Sequence, residues 1–156
     1  EPEGQDWVKH GVLTGLSRAL ALTGAVLFLI GLVQGLVVDQ FANPRMALSA
    51  HLDAVQSGMA VMIAALFWPS AFSESGFEKL ARWTLIAGMV GIWAGITLAA
   101  MTGASEAFPF AGEGYSASAL AEVTVTILMV ASSLAALTGW GAFCWGLFRG
   151  PARGRS

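Results

Sequence analysis

Long runs of apolar residues alternate with short polar breaks along this chain. The apolar runs cover about residues 11–38, 49–72, 79–101 and 118–148. Each run reaches the roughly 20 residues that a helix needs to cross the hydrocarbon core of a bilayer. Short connections make successive helices antiparallel neighbours. The pattern therefore predicts an all-α fold, an integral membrane antiparallel four-helix bundle that forms a single domain over residues 1–156.

The residues at the breaks predict where the second helix begins. Pro44 disfavours helix at the residue before it, and polar residues surround it. Ser49 follows shortly afterwards and is a residue type that caps helices. We therefore expect the second helix to begin at Ser49 and to end near Phe72.

Small and aromatic residues predict how the helices pack. Glycines four residues apart permit close approach of two helices in a membrane, although they are also common in any apolar helix. Two such pairs occur, Gly31 with Gly35 and Gly91 with Gly95. Tryptophans near the predicted helix ends, Trp68 among them, are typical of anchors at the membrane interface. Trp93 lies in mid-helix, so we expect it in the core or lining a pocket.

Composition and charge support the membrane assignment and indicate an orientation. Hydrophobic residues make up 56% of the chain and charged residues 12%, with a net charge of −2, so nothing indicates nucleic acid as a partner. Most basic residues lie toward the two termini and the turn near residues 73–77, whereas Arg45 is at the other end. The positive-inside rule then predicts both termini in the cytoplasm, in a bacterial inner membrane.

A histidine lies at the mouth of the second helix, on a face that could hold a flat ligand. At 100° per residue, His51, Val55, Gly58 and Met62 share this face. A neutral imidazole is a good axial ligand for haem iron, and the remaining contacts need only be apolar. The alternative is a histidine that donates to a loop carbonyl near the membrane interface.

A second candidate site is predicted around Asp53, on the face of the second helix opposite His51. Asp53, Gln56 and Ser57 lie there, and Glu122 is expected at a similar depth near the start of the fourth helix. Ionisable groups inside a membrane are costly and mark functional sites. Two neighbouring carboxylates could act as general acid and base, with Gln34 close by. The alternative is a structural hydrogen-bond cluster that holds the bundle together.

Several motifs resemble those of hydroxylaminobenzene mutases, which are in turn similar to styrene oxide isomerases. They are the segment Asn43-Pro44-Arg45-Met46 that leads to His51-Leu52-Asp53, the Pro109-Phe110-Ala111-Gly112 loop followed by Glu122, and the closing Trp145-Gly146-Leu147-Phe148-Arg149. The turn Glu78-Lys79-Leu80-Ala81-Arg82 matches a turn of the isomerases. The resemblance covers most of the chain from the first helix onward.

The resemblance implies a homotrimer that holds haem b between protomers, with His51 as the axial ligand. In such enzymes the iron acts as a Lewis acid on the oxygen of a small aromatic hydroxylamine or epoxide, without net redox change. If the chain is such an enzyme, we expect Asp53, Ser57 or Glu122 to guide protons, and Val55, Gly58, Met62 and Trp93 to line the cofactor site. The chain departs from the family at Ser57, where the relatives usually have asparagine.

Two functions follow as hypotheses. The first is a haem-dependent isomerase or mutase with a small aromatic substrate in the lipid bilayer. The second is a non-catalytic membrane subunit that uses its glycine-rich and aromatic faces to pack against partners in a larger membrane complex. A single Cys144 excludes an intrachain disulfide and a cysteine metal cluster under either hypothesis.

Overall fold

Four long helices account for most of the fold. The computed structural model describes residues 15–73 and 75–150. The helices are α1 (Gly15–Gly35), α2 (Pro44–Ala71), α3 (Gly76–Thr102) and α4 (Ala119–Arg149), with a single 3₁₀ turn at Val38–Gln40. Each α-helix is long and apolar enough to cross a membrane. The predicted all-α membrane bundle is therefore confirmed for the described part of the chain.

Helix α2 begins at Pro44, so the expected start at Ser49 was wrong. The Asn43 side-chain oxygen accepts a hydrogen bond from the backbone N–H of Met46 at 3.1 Å and caps the helix. Pro44 occupies the first helical position, where its missing N–H would have had no partner anyway. Ser49 instead donates to the carbonyl of Arg45 at 3.1 Å. The restriction that Pro44 imposes falls on Asn43, which lies outside the helix.

The other helix ends lie close to their predicted positions. Helix α1 ends at Gly35, earlier than the expected Val38, because the N–H of Leu36 turns back to the carbonyl of Val33. Ser75 and Ser118 cap α3 and α4 by accepting from backbone N–H groups within the first turn. The predicted helix start at residue 11 and the basic residues beyond 150 lie outside the described residues.

The bundle consists of two antiparallel hairpins, α1 with α2 and α3 with α4. Glycine lets the helices of each hairpin touch. A Cβ added at Gly24 would lie 2.6 Å from the carbonyl oxygen of Gly58, and one added at Gly139 would lie 2.5 Å from the backbone nitrogen of Leu85. The Gly31 and Gly35 pair also faces α2, and the Gly91 and Gly95 pair faces α4. The predicted close approach at both pairs is therefore confirmed.

Helices α2 and α3 join the two hairpins along the centre, and α1 contacts α3 only slightly. One core cluster lies at the end that carries the α2–α3 turn, hereafter the turn end, and includes Leu20, Trp68, Leu85 and Phe143. A second lies at the end that carries the 103–118 loop, hereafter the loop end, and includes Met46, Ala50, Ile96 and Val125.

Trp68 is a core residue and does not anchor the protein at a membrane interface as expected. Its side chain is buried, and its ring stacks on Phe143 with centroids 5.4 Å apart. The indole N–H donates to the carboxylate of Glu78 at 2.8 Å. A polar acceptor inside the bundle therefore satisfies the group that usually holds tryptophan at the interface.

Candidate functional site

His51 is oriented by a hydrogen bond to α1. Its Nδ1 lies 2.7 Å from the carbonyl oxygen of Gly31. A carbonyl oxygen can only accept, so Nδ1 carries the proton and a neutral ring keeps its lone pair on Nε2. The acceptor is a helix carbonyl and not the loop carbonyl of the alternative hypothesis. The imidazole is therefore held in one tautomer, with Nε2 free to bind a ligand.

Gly35 makes room for the imidazole against the backbone of α1. A Cβ added at Gly35 would lie 2.8 Å from both Cε1 and Nδ1 of His51. Two glycines of α1 thus face α2 without a side chain: Gly31 contacts the helix and Gly35 contacts the histidine. The same glycine pair packs two helices and fits the ring between them.

The other residues of the histidine face also pack against α1. A Cβ added at Gly31 would lie 2.9 Å from Val55, and one added at Gly58 would lie 2.6 Å from the backbone nitrogen of Phe28. The space beside Gly58, where the sequence predicts room for a flat ligand, is therefore filled by α1 within this chain. Val55 and Met62 remain half-buried, so only their outward edges are accessible to a ligand. Their role in cofactor binding stays a prediction.

Asp53 and Ser57 form a polar pair within the apolar α2. The Ser57 hydroxyl donates to Oδ1 of Asp53 at 3.4 Å. Oδ2 of Asp53 is buried and has no hydrogen-bond partner among residues 15–73 and 75–150. Gln56, on the same face, is exposed. The carboxylate therefore keeps one oxygen free, as a group that exchanges a proton with a ligand requires.

Glu122 does not join Asp53, so the expected carboxylate pair is not formed. Its two oxygens accept hydrogen bonds from the backbone N–H groups of Ser105, Glu106 and Ala117 at 3.0–3.2 Å. In the described part of the chain, no hydrogen bond links it to Asp53. The loop has backbone N–H groups that need acceptors, and a nearly buried carboxylate supplies them. Glu122 thus fixes the 103–118 loop to the start of α4.

Gln34, Trp93 and Thr97 form a polar network between α1 and α3 that the sequence predicts only in part. The indole N–H of Trp93 donates to Gln34 at 2.9 Å, and the Gln34 amide donates to Thr97 at 3.3 Å. Trp93 also lines an apolar groove of about 350 Å³ between α1 and α3, which confirms the expectation that it lines a pocket. The spacing of Trp93 and Thr97, four residues apart on α3, was the available signal for this network.

The Asn43 and Arg45 segment clamps α2 to the 103–118 loop. The Asn43 side-chain amide donates to the carbonyl of Ala111 at 3.0 Å, and the Arg45 guanidinium donates to the carbonyl of Glu113. Arg45 also lies over the ring of Tyr115, 5.7 Å from its centroid. This segment and the long loop therefore lie at the same end of the bundle.

The donors near His51 match haem better than they match a bare metal ion. Within the described ranges, no group of three or more His, Cys, Asp or Glu side chains could hold a metal ion. A haem iron needs only one or two axial protein ligands, because the porphyrin supplies the others. A ligand histidine normally donates its second N–H to an acceptor, as His51 does to Gly31. His51 therefore has the hydrogen-bond partner that an axial haem ligand normally has.

Comparisons with known proteins give a consistent result. A family model described as styrene oxide isomerase matches residues 16–148. Hydroxylaminobenzene mutase HabB of Ectopseudomonas oleovorans is 34% identical over 139 residues, which cover 88% of this chain and 85% of HabB. Hydroxylaminobenzene mutase HabA of the same organism is 38% identical over 111 residues, which cover 70% of this chain and 82% of HabA. No solved structure matches the chain.

These matches confirm the resemblance seen in the motifs and the expected class of enzyme, an intramolecular isomerase or mutase. The family match spans all four membrane helices, including His51, Asp53 and Ser57. The chain therefore belongs to the styrene oxide isomerase family.

Proposed function

We propose that this protein is a membrane-embedded, haem b-dependent isomerase or mutase that rearranges a small aromatic hydroxylamine or epoxide without net redox change. The family match and the two mutase relatives support the reaction class. The expected alternative, a non-catalytic subunit, has no comparable support, because both relatives are named as enzymes.

The observation that carries the cofactor assignment is the hydrogen bond from His51 Nδ1 to Gly31. It fixes the tautomer in which Nε2 holds a lone pair, which is the form that binds a metal. When bound, haem would supply a Lewis acid that polarises the substrate oxygen and weakens the adjacent C–O or N–O bond.

Asp53 and Ser57 lie on the face of α2 opposite His51, so they would handle protons for a substrate held by a neighbouring copy of the chain. An isomerisation returns every proton that it removes, so one group that accepts and donates in turn is sufficient. The free Oδ2 of Asp53 can take a proton, while the Ser57 hydroxyl holds Oδ1 in position. Glu122 stays a weaker candidate for this step, because the loop amides occupy both its oxygens.

The packing of the histidine face favours a homo-oligomer. Helix α1 fills the space beside Gly58, so α1 and α2 leave no slot for a flat cofactor there and one chain would present at most one outer wall to it. A second copy would supply the opposite wall, which agrees with the trimer that the resemblance implies. We propose that the assembly lies in a bacterial inner membrane with both termini in the cytoplasm, as the distribution of basic residues predicts.

An absorption spectrum of the detergent-solubilised protein tests the proposal. The wild type should show a Soret band, and His51→Ala should lose it, because the proposed axial ligand is gone. His10→Ala is the control, since His10 is the only other histidine of the chain, and it should keep the band. A wild-type protein that converts hydroxylaminobenzene or styrene oxide without any haem absorption would contradict the cofactor assignment.

A further inference from the structure

We propose that the turn end of the bundle binds the phosphate of an anionic phospholipid through Arg82, with Glu78 orienting its guanidinium. This site is separate from His51 and does not depend on the proposed enzymatic function. It would hold a lipid against α3, where that helix enters the membrane.

Glu78 holds Arg82 through one nitrogen only. The Glu78 side chain is fully buried, and its Oε1 accepts from Nε of Arg82 at 3.1 Å and from the indole N–H of Trp68 at 2.8 Å. The terminal Nη groups of Arg82 have no acceptor among the residues that the structure describes. Among the described residues, both Nη groups are therefore left for a ligand.

The free edge of Arg82 reaches the surface at the depth of lipid headgroups. The residue is 8% exposed, and its Cζ lies 5.4 Å from the ring centroid of the exposed Trp83. Helix α3 has 27 residues, so it is about 40 Å long, against roughly 30 Å for the hydrocarbon core. Arg82 lies about 9 Å from the helix start at Gly76. It is thus just inside the core boundary, where a long side chain can reach the headgroups.

The chemistry of the free edge favours phosphate, and a cation at the same end favours an anionic lipid. A guanidinium can donate two parallel hydrogen bonds to a phosphate, and the two Nη groups of Arg82 present that pair of donors. Glu78 balances the charge of Arg82, so the selection for a negative lipid comes from Arg149, an exposed cation at the same end. Basic sites at the edge of membrane helices bind such headgroups.

The test compares the wild type with the double variant E78Q/R82Q. Removing Arg82 alone would strand a buried carboxylate, which is strongly destabilising. The double variant keeps an acceptor for Trp68 and leaves the net charge of the protein unchanged. Native mass spectrometry from micelles that contain phosphatidylglycerol or phosphatidylcholine measures the retained lipid. We expect phosphatidylglycerol to bind the double variant roughly tenfold more weakly than the wild type, since charge-assisted hydrogen bonds are lost.

Lys79→Gln is the matched control, because Lys79 is an exposed cation on the same turn of α3. It should retain at least half of the wild-type lipid binding although it removes a charge. Arg82→Lys keeps the charge but loses the paired donors of the guanidinium, so it should bind phosphatidylglycerol more weakly than the wild type, and it serves if the double variant does not fold. Equal losses in Lys79→Gln and E78Q/R82Q would overturn the proposal in favour of diffuse charge. Unchanged binding in the double variant, or full competition by inorganic phosphate, would also overturn it.

Discussion

Gly35 has no side chain at the point where α1 passes His51, and the position of the imidazole depends on that. Substituting Gly35 with Ala places a Cβ 2.8 Å from two atoms of the ring, so the ring must move away from the Gly31 carbonyl. We expect Gly35→Ala to lose most of the Soret absorbance per mole of purified protein. Its thermal stability should fall only modestly, because overpacking at one site costs about 1–3 kcal/mol.

Gly15→Ala is the control for this substitution, since a Cβ there meets nothing within 4 Å and lies on the same helix. It should match the wild type in absorbance. If both Gly35→Ala and Gly15→Ala kept a wild-type spectrum, the hydrogen bond from His51 to Gly31 would not be required to orient the imidazole for a ligand.

At the scale of residues, the sequence identified which side chains are unusual but not what each one contacts. His51, Asp53 and Ser57 stood out because polar groups are rare in an apolar helix. Glu122 stood out for the same reason, yet its partners are backbone N–H groups of a loop. Helical periodicity describes side chains on regular helices, so it could not foresee how an irregular loop would fold back over Glu122.

At the scale of elements, the contact between α3 and α4 depends on a glycine whose neighbour provides a control. A Cβ on Gly139 would lie 2.5 Å from the backbone nitrogen of Leu85, whereas one on Gly141 would meet nothing within 4 Å. Backbone atoms cannot move aside as a flexible side chain can. We therefore expect Gly139→Ala to destabilise the protein by about 1–3 kcal/mol in detergent unfolding.

Gly141→Ala should leave stability unchanged or raise it slightly, because alanine loses less chain entropy than glycine in a helix. If Gly139→Ala were as stable as Gly141→Ala, α3 and α4 would be able to move apart at Gly139 with little loss of stability, and the prediction would be wrong. Thermal unfolding followed by circular dichroism measures both.

The helices themselves were largely predictable, because bilayer thickness sets a minimum length that four apolar runs satisfy. The start of α2 was not, since Asn43 and Pro44 can either end a loop or begin a helix. Their side-chain and backbone contacts settle it: Asn43 caps the helix and at the same time donates to Ala111 in the distant loop. That second contact joins residues 68 positions apart, which a local pattern does not contain.

At the scale of the whole molecule, two hairpins are joined by polar contacts near both ends. At the loop end, Glu122 holds the 103–118 loop and Asn43 holds the same loop to α2. At the turn end, Trp68 of α2 donates to Glu78 of α3. The pattern of apolar residues predicts that the helices span a membrane. It does not determine which faces of the two hairpins meet.

Substituting Glu122 with Gln tests the loop end of this arrangement. An amide has one acceptor oxygen instead of two, so at least one loop N–H loses its partner. We expect a loss of about 2 kcal/mol in stability and faster proteolysis within residues 103–118. Turnover per mole of folded protein should stay within about threefold of the wild type, since a general acid or base contributes 10²–10⁴-fold.

Ser118→Ala provides the comparison for Glu122→Gln, because it removes a cap from the same turn of α4 without touching the loop amides. Its loop should resist proteolysis as the wild type does. If Glu122→Gln instead kept a protected loop and lost turnover a hundredfold, Glu122 would be a catalytic proton carrier.

The hydrogen bond between His51 and Gly31 lies entirely within the first hairpin. A ribosome therefore completes both partners before it begins α3. The imidazole can therefore be oriented by its hydrogen bond while the second hairpin is still unmade.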